Sequence, residues 1–274
     1  MYTSMGTIAL TITLLTIMIV YFVNQKNPFR VFSILLHRKQ VVWHLGLLAS
    51  ILFINKLELR YESTLTNQQD YATLFYTYEA SILANIQDAL RHPLLTEITT
   101  FFYIIMFVTL IAVSLVSYLL KEDLRLFYTF IYAIGLNYII AIPFYLFFPV
   151  NEAWYIHPQI DFLIPSVYTE FESQYRNISG LNNCFPSLHN SISLTLLLLS
   201  SRSSSRVFKS LFYVSVPIIM FSTIYLGIHW LSDMAAGIAL AVTAVWAASL
   251  ITERYTLLEA RKIALLNSVQ SPLE

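Results

Sequence analysis

One cysteine, Cys184, stands in the whole chain. Its solitude excludes an intrachain disulfide and a zinc site built from several thiolates. Charge is also scarce: Asp, Glu, Lys and Arg make up 12% of 274 residues, where an average soluble domain carries about 25%. The two signs balance at 16 each. There is therefore no global basic field to hold nucleic acid, and no such partner is expected. Six Gly and nine Pro are too few for a collagen-like or low-complexity chain. No internal repeat of fixed period is visible. What the chain does contain is apolar: 57% hydrophobic and 15% aromatic. That composition makes a lipid bilayer the expected surroundings.

A spanning helix needs about 20 mostly apolar residues. Stretches 5–23, 94–120, 126–149, 208–228 and 231–252 qualify, and two shorter runs, 41–55 and 187–200, bring the expectation to seven spans. The start, "MYTSMGTIALTITLLTIMIVYFVNQK", has no basic residue ahead of its apolar run and no A-x-A after it. A retained span is expected there rather than a signal peptide. Residues 68–91 mix aromatics with Asp and Glu, and a helix lying along the surface is expected. The fold class is therefore all-α, a polytopic membrane helix bundle. Three regions are expected: 1–92 with the first membrane helices and the surface helix, 93–252 as the main membrane domain, and 253–274 as a tail.

Seven spans put Lys26, Arg30, Arg38, Lys39, Lys121, Arg125, Arg202, Arg206, Lys209, Arg254, Arg261 and Lys262 on one side. Lys56, Arg60, Arg91 and Arg176 fall on the other. The side richer in Lys and Arg is expected to be cytoplasmic. Loop 150–185 and the residues near 229 then share the outer face, and a multi-pass protein of the cell membrane is expected.

Two polar clusters fall on that face. "NCFPSLHN", 183–190, puts Ser187, His189 and Asn190 at the mouth of the fifth long run after the surface helix is set aside. Taken alone, Ser187 is equally an N-cap, and a single interfacial His is usually an amphipathic filler. "STIYLGIHWLSDMAAG", 222–237, puts His229 and Asp233 four apart, on one helix face. A carboxylate there accepts from one ring nitrogen and leaves the other as base or nucleophile. Asp233 is the hardest to read as filler, because charge inside a membrane segment is costly. Antiparallel neighbouring spans bring His189 and His229 to one depth. Two His, a carboxylate and a Ser at that depth suit phosphoryl transfer.

"FPSLHN" and "STIYLGIHWLSDMAAG" together resemble the second and third signature motifs of the type 2 phosphatidic acid phosphatase superfamily, P-S-x-H and S-R-x-x-x-x-x-H-x-x-x-D. Pro186, Ser187 and His189 match the former, and Ser222, His229 and Asp233 the latter. The resemblance, over roughly 94–252, implies a lipid phosphatase acting on a lipid phosphate or diphosphate with no cofactor and no metal. His229 would attack phosphorus, Asp233 would orient it, and His189 would protonate the leaving oxygen. Ser187, Asn190, Ser222 and Thr223 would lie about the phosphate.

The chain departs from the family pattern in two places. Thr223 replaces the third motif's Arg, and the first motif, K-x-x-x-x-x-x-R-P, is absent. Lys121 and Arg125 precede the second motif but belong to the other side of the bilayer. Arg176 is expected to act instead as a phosphate clamp, the alternative being a surface pair with Glu170 or Glu172. The missing Arg and the loop "FFPVNEAWY", 147–155, resemble the inositol phosphorylceramide synthase-like subgroup. That likeness implies the alternative of headgroup transfer, with an alcohol acceptor in place of water. In the same loop, Glu152, Trp154 and His157 either shape a headgroup pocket or make an ordinary interfacial turn. A proton-coupled transporter is the rival class, but no inverted repeat supports it. Asn137 is expected to bond a neighbouring helix, and Asn177-Ile178-Ser179 forms an N-x-S sequon.

Overall fold

The structure is a computed structural model that describes residues 4–62, 64, 69–176 and 179–270, with side chains as far as 262. The sequon's Asn177 and Ile178 lie outside the described residues. Within them the fold is all-helical. The helices are α1 (Met5–Asn24), α2 (Arg30–His37), α3 (Lys39–Glu62), α4 (Ala72–Leu90), α5 (Pro93–Phe101) and α6 (Phe107–Leu120). They continue with α7 (Leu124–Phe147), α8 (Ala153–Ile156), α9 (Phe171–Tyr175), α10 (Leu188–Ser200), α11 (Arg206–Tyr225) and α12 (Leu231–Gln270).

Five of the helix starts are marked by a side chain that accepts an otherwise orphaned N–H. Ser4 makes a capping box with Thr7. Asp123, Ser187 and Ser205 accept from Leu126, Asn190 and Phe208. Pro93 follows the His92 cap, a position where its missing N–H costs nothing. Helix α5 joins α6 through one π-helical stretch, Phe102–Met106.

Six helices are long and apolar enough to cross a membrane: Met5–Asn24, Lys39–Glu62, Pro93–Leu120, Leu124–Phe147, Arg206–Tyr225 and Leu231–Lys262. Six of the seven expected spans thus have a long apolar helix; the seventh, 187–200, is met by α10, Leu188–Ser200, a shorter apolar helix. Large apolar side chains such as Leu14, Phe22, Phe53 and Trp246 face outward, where a soluble protein would carry charge. The chain is an integral membrane protein.

Two boundaries differ from expectation. Helix α3 runs to Glu62 instead of stopping near residue 55. Hydropathy falls at Lys56, but Lys, Leu, Glu and Arg are all good helix formers, so the helix outlasts its apolar run. Helix α12 carries on through Gln270, so residues 253–270 of the expected tail are helical.

Helix α10 lies at the centre, packed against α6, α7, α11 and α12. Its small polar residues allow this close approach. Asn137 on α7 donates to Thr195 at 3.2 Å and accepts from Ser191, with all three buried. Helix α1 packs on α6, and α3 packs on α7.

The two ends of the bundle differ chemically. At one end Lys26 donates to the Leu120 carbonyl at 2.8 Å, Arg38 pairs with Glu122, and Arg202 donates to Ser249 at 2.9 Å. The other end is built from α4 and loop 148–187. The stretch 68–91, expected as a surface helix, holds α4, which is not among the six long apolar helices. Gln87 on α4 donates to the carbonyls of Asp161 and Tyr225 at 2.9 and 3.0 Å. Glu79 accepts from the backbone N–H of Ser232 at the start of α12.

Candidate active site

The site begins with two turns that hold two helix starts together. Ser187 caps α10, and its backbone N–H donates to the Asp233 carbonyl at 3.2 Å. Gly237 makes this approach possible, since a Cβ there would meet the Ser187 carbonyl oxygen at 2.7 Å. The second turn carries Gly227 at φ +83°, where a Cβ would lie 2.4 Å from the Asp161 carbonyl oxygen. Glycine alone combines that backbone with that contact. Loop 150–164 braces this turn: Trp154 N–H donates to Gly227 at 2.9 Å, and Ala153 N–H to Ile228 at 3.0 Å.

His229 emerges from the braced turn. Its backbone N–H donates to Thr223 at 3.0 Å, and its Nδ1 lies 3.2 Å from Asp233 Oδ2. Asp233 is fully buried and also accepts from Trp230 N–H at 2.9 Å. The carboxylate therefore fixes the tautomer and ring plane of His229 and leaves Nε2 as the free ring nitrogen. His189, at the second position of α10, is flanked by Tyr103 and Phe107, with ring centroids 4.1 and 4.3 Å away. Both partners come from the π-helical turn and the residue after it, a feature that re-aims side chains and recurs at functional sites.

His189 and His229 line one cavity of about 570 Å³. Its walls include Ile8 and Ile12 of α1, Leu52 and Lys56 of α3, Tyr138 and Tyr145 of α7, and Glu152 and Cys184 of the loop. The volume and its mostly apolar lining with a few polar groups suit a small-molecule or lipid site.

The other candidate residues stand behind this wall. Asn190 Nδ2 donates to Ser187 Oγ at 3.1 Å and to Thr223 Oγ1 at 3.2 Å. Thr223 Oγ1 donates to Met220, and Ser222 Oγ to Ile219. All four are buried and do not line the cavity. In place of the motif's Arg, Thr223 thus closes a neutral network that ties α10 to α11.

Arg176 holds Glu152 in a two-pronged pair, 2.8 Å at each oxygen, with Glu172 at 3.9 Å. Burial opposes its charge, but the Glu152 hydrogen bonds and charge outweigh this, so the guanidinium is held protonated more firmly than usual. Glu152 lines the cavity and Arg176 does not. Lys121 donates to Ser203 at 3.3 Å, at the far end of the bundle. From Tyr103 to Lys121 a helix rises roughly 27 Å, too far for contact with His189.

Cys184, His229 and Asp233 bring one ligand atom each within 4.8 Å of one another. Burial and the Asp233 charge push the Cys184 thiol well above its ordinary pKa. Asp233 Oδ2 is already committed to His229 and Trp230.

A family profile described as the PAP2 superfamily matches residues 73–247. The chain belongs to the PAP2 superfamily. No curated protein and no solved structure matches it. The match runs from α4 into the first half of α12 and contains both clusters. Membership in the PAP2 superfamily supports a phosphatase or phosphotransferase type of activity in general and does not single out a subgroup. Helices α1–α3, with the Lys56 wall of the cavity, precede the matched region.

Sequence reasoning missed Lys56, the Tyr103 and Phe107 ring contacts, and both glycines. Only the stripe Leu52, Asn55, Lys56 and Leu59, spaced i, i+3, i+4, i+7, carried a readable signal for the α3 wall.

Proposed function

We propose that this protein is an integral-membrane lipid phosphatase that acts on a lipid phosphate or diphosphate through a phosphohistidine, without a metal. One observation supports this above the others: Asp233 holds His229 Nδ1 at 3.2 Å, and His229 shares a single cavity with His189.

In the proposed reaction His229 Nε2 attacks phosphorus, and the P–O bond to the lipid breaks. His189 passes a proton to the departing oxygen. Asp233 stabilises the charge that develops on the ring. Water then attacks the phosphohistidine, His189 takes the water's proton, and the P–N bond breaks to release phosphate. The demand is for positioning and charge neutralisation. Asp233 and the braced 226–229 turn supply the positioning. Ser187, Asn190, Ser222 and Thr223 act by fixing the start of α10 against α11. Arg176 acts on the phosphate side through Glu152, which it orients at the cavity wall.

Transfer of a headgroup to an alcohol is the second reading, because the same intermediate serves it. Thr223 in place of an Arg and the cavity position of Glu152 favour keeping it. The proposed setting is the cell membrane, with the site on the outer face, opposite the end that carries Lys26, Arg38 and Arg202.

The test is release of phosphate from a long-chain lipid phosphate by detergent-purified protein in excess chelator, with and without a polyol acceptor. Chelator-resistant release without acceptor supports hydrolysis. Product formed only with acceptor supports transfer. No turnover in either arm contradicts both.

A further inference from the structure

We infer that Lys56 supplies the positive charge that the two motifs lack and binds the substrate's phosphate. This inference rests on the phosphatase reading, and it concerns a residue outside the region matched to the family.

Phosphoryl transfer without a metal needs a fixed cation near the equatorial oxygens. The third motif's Arg is Thr223, and that side chain is spent on Asn190. Three arginines share the site end with Lys56. Arg91 pairs with Asp161, Arg176 is gripped by Glu152, and Arg60 has a partner of its own. None of the three lines the cavity that holds His189 and His229, whereas Lys56 does. Among the described cavity residues it is the only Lys or Arg. No carboxylate pairs with it among the described residues.

Its place on α3 follows from helical spacing. Leu52, Asn55, Lys56 and Leu59 all line the cavity, and residues at i, i+3, i+4 and i+7 share a face. Lys56 is exposed at the edge of that face. A four-carbon stem on an apolar helix carries its ammonium toward the polar end of a membrane protein, where a phosphate headgroup would sit. Lys56 opens the polar end of α3, which continues through Glu58, Arg60 and Glu62, so its charge lies at the level where a headgroup would sit.

The experiment compares wild type with Lys56→Met, Lys56→Arg and, as a control at the other end, Arg202→Met. Two quantities are read: the affinity for inorganic phosphate by titration calorimetry, and KM and kcat for a long-chain lipid phosphate. Lys56→Met is expected to weaken phosphate binding about ten- to a hundredfold and raise KM by a similar factor, the scale of one charge-assisted hydrogen bond. Lys56→Arg should recover most of both, and Arg202→Met should change neither. Unchanged phosphate affinity in folded Lys56→Met protein, or no phosphate binding by wild type, overturns the inference.

If Lys56→Met does not fold, Lys56→Cys serves in a Cys184→Ser background, since the native Cys184 lines the same cavity. A cationic thiol reagent should restore phosphate affinity and a neutral one of similar size should not. Equal effects of the two reagents overturn the inference. Absent turnover with intact, Lys56-dependent phosphate binding would contradict the phosphatase reading and leave this one standing.

Discussion

The three helices before the family-matched region and the helices within it are built differently. Helix α10 is enclosed by four neighbours and tied in by Asn190, Ser191 and Thr195. Helices α1 and α3 use one face each against α6 and α7, and show Leu14, Phe22 and Phe53 to the outside. The enclosed part is held from several sides by packing and hydrogen bonds, the kind of restraint that the proposed chemistry would need. The outer helices complete the cavity wall and meet the lipid. A substitution should therefore cost most in the enclosed part and least on the outward faces of α1 and α3.

The sharpest contrast is expected at the imidazoles. His229→Ala should lower kcat at least ~10⁴-fold, the scale seen when a covalent nucleophile is removed. His189→Ala should lower it about 10²–10⁴-fold, the usual worth of a general acid. Both proteins should retain wild-type elution and melting profiles. Substantial activity in either would erase the distinction between the two regions at its strongest point.

The Arg176–Glu152 pair comes next. Arg176→Ala leaves the buried Glu152 carboxylate without its partner, and a loss of about 3 kcal/mol is expected. Arg176→Ala with Glu152→Gln should regain most of that stability in thermal melts. If the double variant is stable and fully active, the pair acts as a brace alone. Gly237→Ala should cost about 1–3 kcal/mol, because the added methyl meets backbone and not a movable side chain. A melt unchanged by that substitution would mean that α10 and α12 are not as tightly joined as described.

The smallest effect is expected on α1. Leu14→Ala, on an outward face, should alter stability by less than about 0.5 kcal/mol. A larger loss would show that α1 is held as firmly as the enclosed helices.

Much of this arrangement was legible in the residue order, for identifiable reasons. Apolar length marks a span, so α1, α6, α7, α11 and α12 could be read directly. The i, i+4 relation of His229 to Asp233 is local, and the structure repeats it as a hydrogen bond. Antiparallel spans also sufficed to bring His189 to the level of His229. Contacts between distant segments were not legible. Glu152 and Arg176 are separated by α8 and α9, and only the fold of loop 148–187 joins them. Tyr103 meets His189 because a π-turn rotates it there, and no spacing in "FFYIIMF" announces that turn. Gly227 and Gly237 matter through the backbone that passes beside them, which composition does not reveal. Lys56 was counted as one of the few basic residues on its side, but its helix was expected to end just before it.

The central claim is that His229 carries the phosphoryl group between donor and acceptor. The most direct measurement is rapid quench of the purified protein with a lipid phosphate radiolabelled on phosphorus, followed by peptide mapping under alkaline conditions, where phosphohistidine survives. The account expects label on the peptide containing His229, lost on acid treatment and absent in His229→Ala. Turnover with label on any other residue, or undiminished turnover by His229→Ala, would contradict it.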